Sequence, residues 1–139
     1  MIDRCRTALP QLAFILGSTY RSVFAQAKKR GGAEYRLTER QEITIARRSK
    51  DKCEVTGIPF SLDKNGYSKA PFAPSVDRID SLKGYSTNNT RLVCMCVNYA
   101  MNEWGEWVLA PIAYAIAGKK LQSLIEMAPE MAETTTKEL

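Results

Sequence analysis

The strongest constraint on the fold is a change of hydrophobic spacing inside one stretch, residues 75–107. Residues 76–79 and 90–93 each combine two apolar and two polar side chains in a short run, which predicts half-buried strands, and residues 81–89 between them are rich in turn formers. After Cys94 the apolar residues recur at helical spacing. The stretch therefore predicts a long-looped hairpin followed by a helix.

Three polar residues lie on these elements at useful positions. Asn98 and Asn102 are four residues apart, so on a regular helix they share one face. Asp77 lies on the first predicted strand, from which its side chain could meet that face. A carboxylate and two amides are therefore candidates for one site.

The order of these elements and residues resembles the HNH, or ββα-metal (His-Me finger), endonuclease superfamily, and most closely its histidine-replaced, PacI-like variant. The resemblance covers roughly residues 53–104. It is closest at Val76, Asp77, Arg78, Gly84, Tyr85, Ser86, Asn89, Arg91, Leu92, Cys94 and Asn98. It implies an α+β fold, in which a ββα-metal hairpin-plus-helix core packs with N-terminal and C-terminal α-helices.

The resemblance also implies a role for each matching residue. Asp77 would be a metal ligand, Arg78 would occupy the position of the general base, and Asn89 would orient that base. Asn98 would be the metal ligand on the helix. Asn102 matches a second helix position, which many members fill with histidine.

The sequence departs from the family at the base, because it contains no histidine. Arg78 cannot accept a proton, since arginine stays charged in proteins. The resemblance implies that a loop tyrosine, matched by Tyr85, starts strand cleavage instead. Free tyrosine has a pKa of about 10, so Tyr85 would need the positive field of Arg78 or of the metal. Alternatively, metal-bound water is the nucleophile and Tyr85 only positions it.

The oxygen-only ligand set also constrains the metal. One carboxylate with amide oxygens favours Mg²⁺ or Mn²⁺ over Zn²⁺. The structural zinc site that many relatives carry is expected to be lost, because Thr56 replaces one of its cysteines. The remaining Cys53, Cys94 and Cys96 give three ligands at most, and we expect buried, reduced thiols instead.

Positive charge is concentrated in the first third of the chain. Residues 1–52 contain twelve Lys or Arg and five Asp or Glu, net +7, whereas residues 53–139 have a net charge of −2. Such a patch is typical of nucleic-acid binding, although cations also favour the ends of ordinary helices. The predicted DNA contacts, with RNA left open, are Lys28, Lys29, Arg30, Arg47, Arg48 and Lys50.

The length of 139 residues predicts a single domain. Its predicted parts are a basic helical part (1–52), the HNH-like core (53–107), a C-terminal helical part (108–127) and a flexible tail (128–139). No apolar run is long enough to cross a membrane and no signal-peptide layout is present. We therefore expect a soluble, cytoplasmic protein.

Two of the predicted helices have clear signals. Residues 7–29 carry apolar residues at three- and four-residue steps, and Thr38 with Gln41 forms a capping-box pattern for a helix that ends near Lys50. A third helix, over residues 108–125, is predicted to break near Gly118. It would pack on the N-terminal helix or form a homodimer interface.

Two functions follow from the sequence. The first is a metal-dependent HNH-type endonuclease that hydrolyses phosphodiester bonds in DNA, with Arg78 and Tyr85 replacing the histidine base. The alternative is a catalytically inactive HNH-derived module that binds nucleic acid or protein as a regulator or inhibitor.

Overall fold

The structure is a computed structural model that describes the backbone of residues 8–136 and the side chains of residues 17–123. It has two compact units, Met1–Glu103 and Trp104–Leu139. In chain order the elements are α1 (Ala8–Gly31), a 3₁₀ turn (Gly32–Glu34), α2 (Glu39–Ser49), β1 (Pro74–Arg78), β2 (Thr90–Cys94), α3 (Met95–Met101) and α4 (Glu106–Thr136). The predicted α+β class is confirmed, and the division into one domain stays a prediction.

Helix α2 begins where the capping box predicts. The Thr38 hydroxyl accepts a hydrogen bond from the Gln41 backbone N–H at 3.4 Å, and the Gln41 side chain accepts one from the Thr38 N–H at 2.9 Å. These bonds satisfy two N–H groups that the first helical turn leaves without partners. The helix stops at Lys50, which takes up a left-handed conformation with φ 51°.

The two strands form an antiparallel hairpin whose register pairs Asp77 with Arg91 and Val76 with Leu92. Helix α1 packs on β1, α2 packs on β2, and α3 contacts both strands. All five residues of β2 are buried as a result. The core of the first unit includes Phe24, Ala27, Ile45, Cys53, Val76, Leu92, Val93, Cys94, Val97 and Met101.

The segment that carries Cys53 runs beside β2. The Glu54 N–H donates to the Leu92 carbonyl at 2.9 Å, and the Leu92 N–H donates to the Glu54 carboxylate at 2.7 Å. Cys53 and Cys94 are buried free thiols as expected, whereas Cys96 is only partly buried. Burial and the neighbouring Cys53 raise the pKa of the Cys94 thiol to about 12.

The second unit contains α4. This helix is continuous through residues 118–120, so the break predicted near Gly118 is wrong. A single glycine costs a helix only about 1 kcal/mol, which a helix of 31 residues tolerates. The predicted tail from residue 128 falls largely on this helix, whose last residue is Thr136. Among the described residues, no helix is long and apolar enough to cross a membrane.

Candidate active site

The side of the hairpin that faces α3 carries the first group of candidate residues. Asn98 donates through Nδ2 to the Ser75 hydroxyl at 2.8 Å and to the Val76 carbonyl at 3.3 Å. Ser75 and Asp77 are two apart on β1 and therefore share a strand face. The structure thus brings the Asn98 side chain to the strand face that carries Asp77. The amide oxygen of Asn98 is the atom of this side chain that could bind a metal ion.

Asp77 is already engaged in a buried ion pair. Its Oδ2 accepts a hydrogen bond from Arg91 Nε at 2.8 Å, and the two side chains are only 8% and 11% exposed. Arg91 also reaches α3, since its Nη2 lies 3.7 Å from the Met101 sulfur. The sequence interpretation missed this pair. The predicted hairpin could have indicated the pair, because side chains that lie directly opposite each other on one face of a hairpin interact.

Asn102 lies at the end of α3 and has left the helix. Its N–H still donates to the Asn98 carbonyl at 3.0 Å, but its own φ is 46°. Regular four-residue spacing therefore does not fix the direction of its side chain. Both asparagines nevertheless line the same groove.

Arg78 and Tyr85 form a second group, away from α3. The Arg78 guanidinium carbon lies 5.1 Å from the centre of the Tyr85 ring, within cation–π range. Arg78 Nη1 also donates to the Glu34 carboxylate at 3.4 Å and to the Lys83 carbonyl at 3.3 Å. Because neighbouring residues of a strand alternate in direction, Arg78 and Asp77 lie on opposite faces of β1.

Tyr85 is held tightly against the 3₁₀ turn. Its N–H donates to the Glu34 carbonyl at 3.0 Å, and its carbonyl accepts from the Arg36 N–H at 3.2 Å. Tyr85 as a residue is 6% exposed, and its ring leaves no room at Gly31, where an added Cβ would lie 2.8 Å from the ring. This burial limits direct access of a substrate to the side chain.

Asn89 fixes the loop that presents Tyr85. Its Oδ1 accepts from the Asp80 N–H at 2.9 Å, and its Nδ2 donates to the carbonyls of Asp80 and Gly84, each at 3.0 Å. Its Nδ2 also lies 3.4 Å from the Lys83 carbonyl that Arg78 binds. The predicted orienting asparagine therefore contacts loop backbone that also anchors the Arg78 side chain.

Comparison with solved structures gives a match to the rare-cutting HNH restriction endonuclease PacI, an enzyme described as perturbing DNA. The TM-score is 0.50 at 23% sequence identity, and the match covers 73% of this chain and 76% of the PacI chain. The chain has an HNH-like fold. The resemblance read from residues 53–104 is confirmed at this level. No protein-family model matches the sequence, and no curated protein matches it.

The HNH-like hairpin and α3 carry no dense set of metal-binding side chains. Among the side chains of residues 17–123, no group of three or more His, Cys, Asp or Glu residues is arranged to hold a metal ion. The oxygens of Asp77 and Asn98 suit only a hard cation that takes its other ligands from water and phosphate. The donor set therefore fits magnesium or manganese and does not fit a zinc ion held by protein alone.

The predicted basic clusters differ in their freedom to bind DNA. Lys28, Lys29 and Arg30 are exposed in the last turn of α1, and Arg47 and Lys50 are exposed at the end of α2.

Arg48, by contrast, helps to hold the HNH-like hairpin together. It forms a salt bridge with Glu54 at 2.6 Å and donates to the carbonyl of Thr90 at 2.6 Å and that of Thr87 at 3.3 Å. The sequence could not separate Arg48 from its neighbours, because its partners lie on distant segments.

A tyrosine beside this second group gives a pH-dependent prediction. The Tyr35 hydroxyl donates to Glu42 at 2.6 Å, and burial together with this bond raises the pKa of Tyr35 well above 10.0. The folded protein therefore keeps a proton that the unfolded chain loses. The contribution of the Tyr35 hydroxyl to the free energy of unfolding is complete below about pH 10 and falls as the pH rises above that value, by no more than about 1.4 kcal/mol per pH unit.

We expect Tyr35→Phe to flatten this alkaline decline in the free energy of unfolding, measured by urea titration between neutral and alkaline pH. Tyr67→Phe, at an exposed loop tyrosine, is the matched control and should leave the decline unchanged. An identical decline in wild type and Tyr35→Phe would contradict the role of the Tyr35 proton.

Proposed function

We propose that this chain is a metal-dependent endonuclease that hydrolyses phosphodiester bonds in DNA. The proposal rests on the HNH-like fold, and above all on the contact of Asn98 with Ser75, two residues from Asp77 on the same strand face. This contact supports one cation site between strand and helix. It is the arrangement that the residue pattern of the HNH superfamily implies.

Magnesium or manganese would be held by Asp77 and Asn98, with Asn102 as a third ligand at the end of α3. When bound, the cation would supply positive charge beside the scissile phosphate and the leaving oxygen. Arg91 lies against Asp77 and sets the direction of its carboxylate through the 2.8 Å bond. A carboxylate has about four lone-pair sites, so it can bind a cation while it also accepts hydrogen bonds.

Arg78 and Tyr85 act as one unit in this proposal. The Tyr85 ring and the Lys83 carbonyl support the guanidinium, which remains charged and could bind a phosphate oxygen. Burial of Tyr85 favours the alternative in which metal-bound water is the nucleophile and Tyr85 has only a positioning role. The ring, rather than the hydroxyl, is then the part that matters.

Variants of Tyr85 separate these two roles. We expect Tyr85→Phe to cleave DNA at close to the wild-type rate, because it keeps the ring face. Tyr85→Leu should lose about 2- to 30-fold, the value of a cation–π contact. Rates would be compared under conditions in which near-ultraviolet circular dichroism shows each variant folded. A loss of about 10²–10⁴-fold in Tyr85→Phe would instead assign proton transfer to the hydroxyl.

The exposed residues Lys28, Lys29, Arg30, Arg47 and Lys50 would bind the DNA backbone. Contacts of this kind are electrostatic, so binding should weaken steeply as salt is raised. Arg48 contributes less to this surface in the proposal, because its guanidinium already holds Glu54 and two carbonyls.

The second candidate function is a non-catalytic module that binds nucleic acid. The buried Asp77–Arg91 pair favours it, since an aspartate with a guanidinium partner has a structural role without any metal. The absence of histidine points the same way.

Nicking of supercoiled plasmid tests the proposed activity against this alternative. We expect nicking with Mg²⁺ or Mn²⁺ and none with EDTA. Plasmid binding without cutting in either metal would favour the binding module. Cutting that continues in EDTA would contradict metal dependence.

A further inference from the structure

A groove runs between α1 and α3, beside the candidate cation site. It has a volume of about 760 Å³ and is lined in part by Gln26 and Arg30 of α1, by Lys69, and by Asn98 and Asn102. No aspartate or glutamate is among the described residues that line it, so the charged groups in its wall are both positive. We call it the α1–α3 groove. Its charge is complementary to a polyanion.

An exposed aromatic ring stands on this groove. Tyr99 follows Asn98 on α3, and the residue is 63% exposed although it lies in the groove wall. Lys69 Nζ lies 3.1 Å from the Tyr99 hydroxyl and 5.5 Å from the ring centre. The Lys69 ammonium group therefore holds the Tyr99 ring in place. It also lies where it could bind the phosphate next to a base stacked on that ring.

These features together favour an unpaired strand. A base can stack on a protein ring only after it leaves the base stack, and such stacking contributes about 1–3 kcal/mol per base. An intact duplex offers phosphates to Arg30 and Lys69 but no base face to Tyr99. The groove thus combines the cationic track and the stacking platform that proteins use for single strands.

We propose that the α1–α3 groove binds an unpaired segment of DNA, with a base stacked on Tyr99 and the adjoining phosphates bound by Lys69 and Arg30. The inference rests on the proposed function in one respect, since the strand bound in the groove would be the one that is cleaved at the cation held by Asn98. It makes Tyr99 and Lys69 binding residues for a locally opened substrate.

Fluorescence anisotropy with a fluorescein-labelled thymidine oligonucleotide in EDTA tests this proposal without any cleavage. We expect Tyr99→Ala to weaken binding by about 5- to 100-fold, and Tyr99→Phe to stay within about threefold of wild type. Lys69→Gln should reduce the slope of the logarithm of the binding constant against the logarithm of salt concentration by about 1, the value for one phosphate contact. Tyr67→Ala is the matched control, because Tyr67 is 68% exposed and lies outside the groove.

A blunt duplex labelled in the same way supplies the second comparison. Tyr99→Ala should bind this duplex as wild type does. The proposal fails if Tyr99→Ala keeps full affinity for the single strand, if Tyr67→Ala loses as much, or if the duplex and the single strand lose equally.

The two proposals fail separately. A wild-type protein that never nicks plasmid, but loses single-strand affinity in Tyr99→Ala, keeps the groove and removes the nuclease. If the wild-type protein nicks plasmid with Mg²⁺ and Tyr99→Ala binds the single strand as tightly as wild type, the nuclease proposal stands and the groove proposal fails.

Discussion

Replacing Asp77 with asparagine is expected to lower Mg²⁺-dependent DNA cleavage by at least about 100-fold. The change removes the carboxylate of the proposed cation site and keeps a side chain of nearly the same shape. The asparagine oxygen can still accept the bond that Arg91 Nε donates at 2.8 Å. Initial nicking rates at saturating Mg²⁺ would measure the loss, with folding followed by circular dichroism.

Asp63→Asn is the matched control, since Asp63 is an exposed loop aspartate, and it should cleave as wild type does. A second variant, Asp77→Leu/Arg91→Met, removes both charges of the buried pair and should fold yet remain inactive. Full activity in Asp77→Asn would show that cleavage does not depend on the Asp77 carboxylate.

Replacing Arg91 with methionine is expected to lower the free energy of unfolding by about 3–5 kcal/mol. The change removes the guanidinium that binds the buried Asp77 carboxylate, so a buried charge loses this partner. The methionine fills part of the space beside Met101. Urea unfolding near neutral pH, where the carboxylate is charged, measures the loss.

The exposed Arg21 on α1 provides the matched control, and Arg21→Met should change stability by less than about 0.5 kcal/mol. Asp77→Leu/Arg91→Met should recover most of the stability that Arg91→Met loses, because no buried charge is left. Equal stability of Arg91→Met and wild type would show that the ion pair contributes little to the fold.

Local features of this chain were predictable from the sequence. The capping box of Thr38 and Gln41 involves residues three apart, and it forms as predicted. The hairpin strands were predicted from two runs of four residues, 76–79 and 90–93, and β1 and β2 differ from these ranges by two residues at most. Neighbouring residues determine such features, so a single sequence contains the information.

Features that depend on distant segments were not predictable in the same way. The resemblance named Asp77 and Arg91 as separate matching residues, but only the strand register makes them an ion pair. Glu54, which holds Arg48 and the Leu92 N–H, belongs to an irregular segment with no periodic signal.

The division of the candidate site was also hidden in the sequence. Asp77 and Arg78 are adjacent, yet one contacts Arg91 on the α3 side and the other contacts Tyr85 on the opposite side. Strand alternation requires this separation, but the loop that returns Tyr85 to Arg78 depends on contacts with Asn89 and with Glu34, which lies far away in the sequence. The roles of these residues stay predictions.

The most direct test is a crystal of the wild-type protein soaked in Mn²⁺, with the ion located by its anomalous scattering. We predict one peak between β1 and α3, at about 2.0–2.3 Å from a carboxylate oxygen of Asp77 and from the Asn98 amide oxygen. A map with no peak there, and with Asp77 bound only to protein groups such as Arg91, would contradict the account.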